Sequence, residues 1–172
     1  MRNYVTKMVG AAILMGAAVP AFAQESKPLG LSARIGLFLP TDKGTRNTSD
    51  DAWFAAGVDY KLRDLPSTVP GRSSALSISL DYAAKNNFRI VPVLLNYQLR
   101  TNELYFFGGV GASFARIDRG IFGAASDTLF AYQLGVGYDF QSGTNPLFVE
   151  AKFLGTERSE VNGFGLFAGI RF

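Results

Sequence analysis

The chain has 172 residues, with 17 Lys and Arg against 14 Asp and Glu, no His and no Cys. Those absences exclude disulfides, Ser-His-Asp and Cys-His nucleophile systems, and zinc sites built on His or Cys. The length fits one domain, and 19 Gly, 15 Phe and 7 Tyr with few helix-period stretches point to an all-β chain.

Residues 1–23 read as a cleaved signal peptide. Arg2 and Lys7 form a positive start, VGAAILMGAAV is the apolar stretch, and AFA before Gln24 supplies small residues at a cleavage site. The apolar run is shorter than the about 20 residues of a spanning helix. Cleavage removes two basic residues and no acid, so residues 24–172, read as one domain, are nearly charge-balanced. The remaining basic residues are scattered along the chain, unlike the clustered footprint of a nucleic-acid binder.

Eight alternating segments are then predicted, at about 30–39, 52–62, 74–83, 89–99, 103–115, 128–140, 146–155 and 162–172. Turn-rich stretches such as PTDKGTRNTSD, RDLPSTVPGRS, KNN and RIDRGIFGAASD separate them. Each segment matches a tilted membrane-spanning strand of about 9–11 residues. Pro92 falls inside the fourth, where it removes a ladder donor and predicts a bulge.

One parity of these strands is apolar and carries no charge. It runs through Leu31, Ile35 and Leu37, then Phe54, Val58 and Tyr60, and so on to Phe164, Leu166, Ala168, Ile170 and Phe172. The opposite parity mixes Ser, Asn, Gln, single charges and many glycines. A soluble lipocalin-type barrel would turn the apolar face inward and show a Lys- and Glu-rich exterior. A membrane barrel turns that face to lipid between aromatic girdles. With the N-terminus placed in the periplasm, Tyr60, Tyr97, Tyr138 and Phe140 mark one level. Phe54, Tyr82, Phe114, Phe130, Phe153 and Phe164 mark the other. This pattern predicts an eight-stranded antiparallel up-and-down transmembrane β-barrel.

The signal, the eight strands and the final FGLFAGIRF resemble the small eight-stranded outer-membrane β-barrel proteins, the class of OmpX, the OmpA transmembrane domain and opacity-type surface proteins. The resemblance implies residence in the bacterial cell outer membrane, among lipid and lipopolysaccharide. It also implies that Phe164, Leu166, Ala168, Ile170 and Phe172 form the signal read by the outer-membrane barrel assembly machinery. Barrel enzymes of similar size that act on lipid A rely on a histidine, which this chain lacks.

The interior is the remaining place for chemistry. Arg34, Asp59, Lys61, Asp81, Asp139, Glu150, Lys152 and Arg171 share the inner parity, four charges of each sign. Such balance suits an ion-paired lumen, expected to centre on Arg34 with Asp59 and Glu150 at similar heights. An acid and base role for Asp59 and Glu150 is the alternative, set against the little room inside eight strands. GFGLFA at 163–168 fits a nucleotide-binding glycine pattern in letters, but no helix can follow it. No catalytic, cofactor or metal residues are assigned. The stretches 40–51 and 116–127 are expected outside the cell; in the second, Ile121 and Phe122 either meet an extracellular partner or the outer leaflet, or pack within the loop itself. A structural or surface-interaction role without enzymatic activity follows. The alternative is transport, through a narrow channel or an OmpW-like conduit for small apolar solutes, suggested by inner-face Phe38, Trp53, Tyr105, Phe107, Leu129, Phe148 and Phe167.

Overall fold

A computed structural model describes residues 30–66, 70–86, 88–118, 124–140 and 145–172. The signal peptide lies outside the described residues, as do Ile121 and Phe122. Eight strands close into one antiparallel barrel in chain order, β1 pairing with both β2 and β8. They are β1 (Leu31–Pro40), β2 (Trp53–Leu65), β3 (Arg72–Lys85), β4 (Phe88–Thr101), β5 (Leu104–Asp118), β6 (Ala124–Phe140), β7 (Leu147–Thr156) and β8 (Gly163–Arg171).

Strand alternation sets the two faces, and the apolar one points out. Ile35, Leu37, Val110, Phe130 and Leu134 are exposed around the wall, Leu134 to 63 %. Among the described residues no protein layer covers them, which rules out the lipocalin-type arrangement and leaves lipid as the matching solvent. Exposed Tyr60, Tyr97, Tyr138 and Phe140 ring the wall near the ends where β1 begins and β8 finishes, here termed the terminus end. Phe54, Tyr82, Phe114, Phe130 and Phe164 ring it at the opposite level.

Three local features depart from the sequence expectation. The β5–β6 hairpin continues to Asp118 and resumes at Ala124, so most of the stretch read as the loop 116–127 is strand. Pro92 produces no bulge: it pairs with Ser113 on β5, and the β3–β4 register is the same on either side of it. The missing donor is absorbed by a local gap in the ladder toward β3. The irregularity lies instead between Lys61 and Arg63 on β2, where one extra residue flips the alternation near the strand end.

The stretch 40–51 contains a short helix, α1 (Lys43–Ser49), which gives the opposite level its name, the helix end. Asp42 caps it by accepting from the Thr45 amide at 2.7 Å. Thr45 Oγ1 donates to the Glu160 carbonyl at 3.0 Å, tying α1 to the β7–β8 connection. Ser49 accepts from Trp53 Nε1 at 3.0 Å, tying it to the lumen. Beneath α1 the lumen is apolar: Phe38, Trp53, Ile90, Leu94, Leu129, Leu154 and Val161 pack there, with Phe38 and Trp53 rings 5.4 Å apart.

Candidate functional site

The middle of the lumen is ionic. Inner parity places Arg34 on β1, Asp59 on β2, Asp81 on β3, and Glu150 and Lys152 on β7. Arg34 donates from Nε at 3.1 Å and from Nη2 at 2.7 Å to Asp81 Oδ1, and from Nη1 to Asp59. Its Nε also lies 3.8 Å from Glu150 Oε1. Lys152 Nζ reaches Asp81 Oδ2 at 2.6 Å and stands 3.9 Å from Glu150 Oε1. Asp81 is therefore the hub, with one oxygen on each cation. The arginine fork suits this arrangement because its donors are fixed in a plane and satisfy two carboxylates at once.

Inner glycines are part of the same design. A Cβ on Gly57 would strike Asp81 Oδ1 and approach Arg34 Nε to 3.0 Å, so the cluster occupies the space a side chain would take. The Phe167 ring separates the ionic layer from the apolar one, with Lys152 Nζ 4.8 Å and the Arg34 guanidinium carbon 5.4 Å from its centroid. Beside the ionic cluster lies a neutral polar network. Asn96 Nδ2 donates to Ser79 Oγ at 3.0 Å, and Gln133 Nε2 to Asn96 Oδ1 at 2.6 Å.

A second charged group sits toward the terminus end. Arg171 donates to Asp139 Oδ1 at 2.9 Å, and Arg100 pairs with Asp139 Oδ2. Arg171 lies 4.6 Å from the Phe148 ring centroid and 4.8 Å from that of Tyr105, and Arg100 lies 5.1 Å from that of Tyr105. Tyr105 links the two groups by donating to Glu150 Oε2 at 3.2 Å.

Of the eight charges assigned to the lumen, the structure brings Arg34, Asp59, Asp81, Glu150 and Lys152 into one cluster, and Asp139 with Arg171 into another. Lys61 joins neither. It is exposed near the mouth and pairs with Asp64 at 3.1 Å, beside the irregularity in β2. Arg100 is the member that sequence reasoning missed, because β4 was expected to stop at residue 99. It keeps the parity of Asn96 and Gln98, so extending the strand by two residues finds it. Among the described residues, no three acidic side chains are grouped to hold a metal ion.

A closed antiparallel barrel with a lipid-compatible wall and a salt-bridged lumen describes an outer-membrane protein, and the sequence comparison agrees. Residues 9–172 match the outer membrane protein beta-barrel domain family. The chain belongs to this family. It is a protein of the bacterial outer membrane, its apolar wall set in the hydrocarbon layer. Among solved structures it is similar to the Yersinia pestis outer membrane protein Ail, determined as a backbone structure in a phospholipid bilayer nanodisc. That match has 19% identity and a TM-score of 0.46, over 83% of this chain and 98% of that one. It is also similar to Neisserial surface protein A, at 13% identity and a TM-score of 0.46, over 82% of this chain and 92% of that one. No curated protein sequence matches the chain.

Proposed function

We propose that this barrel is a closed structural and surface-interaction element of the outer membrane, without enzymatic activity. The observation that carries the reading is the filled lumen. The Arg34 cluster spans it from β1 to β3 and β7, and the Phe38, Trp53 and Leu129 layer fills the helix end. Ions crossing such a barrel would have to break buried pairs and enter an apolar layer, both costly steps. At the helix end the inner aromatics on which the conduit alternative rests are packing residues: Trp53 lies within 5.5 Å, ring to ring, of both Phe38 and Phe88.

In this reading the wall contacts outer-membrane lipid and lipopolysaccharide. The barrel assembly machinery reads Phe164, Leu166, Ala168, Ile170 and Phe172. An extracellular partner meets 40–51 and 116–127, where Lys43, Asn47 and Thr48 of α1 are exposed. The test is conductance of purified, refolded protein in planar bilayers. Absence of steady current at neutral pH supports the closed reading, and a stable nanosiemens channel rejects it in favour of transport.

A further inference from the structure

The terminus end of the lumen is a blind vestibule of about 260 Å³, lined by members of both charged groups. Its floor carries Asp59 and Glu150, its wall Arg100, Arg171 and Tyr105. The two groups are unbalanced in opposite directions. In the floor cluster Asp59, Asp81 and Glu150 face only Arg34 and Lys152, leaving one negative charge in excess. In the wall cluster Arg100 and Arg171 share Asp139, leaving one positive charge in excess.

Two further features show where a ligand would fit. Glu150 Oε1 is buried, its side chain only 5 % exposed, and accepts no hydrogen bond among the described residues. Its two neighbouring cations stop short, at 3.8 and 3.9 Å. The negative excess of this cluster opens on the vestibule at Asp59, whose side chain is 20 % accessible. The wall guanidiniums, by contrast, remain 29 % and 24 % accessible and offer donors to an anion from the vestibule side.

We propose that this vestibule is a binding site for a small zwitterion. Its ammonium is held at the floor by Asp59 over the negative cluster, and its carboxylate is held by Arg100 and Arg171 at the wall. The phenol edge of Tyr105, which lies between the two charged groups, spaces the two ends of the ligand. The volume, just under the about 300–1,000 Å³ of pockets that take drug-sized ligands, suits an occupant the size of an amino acid or a short ω-amino acid. This inference rests on side chains at the terminus end alone and holds whether or not the helix end conducts.

The experiment uses the full mature chain refolded in nanodiscs, with backbone amide shifts followed by NMR. It is titrated with glycine, 4-aminobutyrate and 6-aminohexanoate, and with n-propylamine and butyrate as singly charged controls. Saturable shifts at the vestibule residues with one of the zwitterions are expected, with each singly charged control about tenfold or more weaker. Glu150→Gln keeps an acceptor for Tyr105 and should weaken the zwitterion about tenfold, because the negative excess of the floor cluster is gone. Arg100→Gln lies at the accessible wall and should weaken it similarly while leaving the Arg171 pair to Asp139 in place. It supplies the test if the Glu150 variant does not fold. No saturation with any zwitterion, equal binding of n-propylamine, or unchanged affinity in the variants that fold would each overturn the proposal.

Discussion

Removing Arg34 should be the most damaging single change to the barrel interior. Its side chain is 1 % exposed and joins Asp59, Asp81 and Glu150, which then retain only Lys152 as a nearby cation. Breaking a buried pair from one side typically costs about 3–5 kcal/mol, since the partner charges stay buried. Here three carboxylates lose a partner, so Arg34→Ala belongs at the upper part of that range. With a urea slope of about 2 kcal/mol/M, the unfolding midpoint of the refolded barrel should fall by about 2 M. Neutralising the hub acid as well removes part of the repulsion, so Arg34→Ala with Asp81→Asn should cost less than the two single changes added, by about 0.5–3 kcal/mol. Equilibrium unfolding in detergent micelles, followed by tryptophan emission, measures all three. A shift below about 0.5 kcal/mol for Arg34→Ala, the range of an ordinary surface substitution, would refute the reasoning. Strict additivity in the cycle would refute it too.

The remaining predictions concern packing, backbone and the cap. Gly57→Ala should destabilise by about 1–3 kcal/mol through overpacking against Asp81. Gly71→Ala, at φ +76° with nothing within 4 Å of its Cβ, should cost about 1 kcal/mol from backbone strain alone; comparing their urea midpoints separates the two causes. Trp53, the single tryptophan, is fully buried, so folded protein should emit at short wavelength. Trp53→Ala should lower stability by about 3–5 kcal/mol, whereas Trp53→Phe, which loses mainly the bond to Ser49, should cost about 1 kcal/mol. The Thr45 amide holds the Asp42 carboxyl below its ordinary range. The cap on α1 is therefore fully present above about pH 3.9, the ordinary carboxylate value, and is lost as pH falls through the lowered folded value. Protection of the Thr45 amide, its exchange relative to the intrinsic rate at the same pH, should fall in acid and in Asp42→Ala at neutral pH, with barrel unfolding unchanged; undiminished protection in that variant would mean the cap does not order the helix.

The sequence by itself determined the strands and their faces. Side chains alternate with period two, so an uncharged parity running from Leu31 to Phe172 fixes which residues meet lipid and which meet the lumen without any knowledge of register. Strand count and all-β class follow from the same rhythm and the turn residues between segments. Absence of His and Cys likewise removed whole classes of chemistry before any geometry was known. Who pairs with whom inside was decided by tertiary structure. Height along a strand is legible, but barrel shear offsets each strand against the next, and that offset made Asp81 the shared acid in a cluster expected to rest on Asp59 and Glu150. Local irregularity decided the rest. One residue inserted after Lys61 turned the chain at a strand end and left that lysine at the mouth, while two residues more of β4 carried Arg100 inward. Helix α1 is legible only in part: Asp42 is a recognisable cap, but Gly44 and four hydroxyl or amide residues weaken the helical signal. What orders it is contact, Ser49 to nearby Trp53 and Thr45 to the β7–β8 connection, and the second exists only once the barrel has closed.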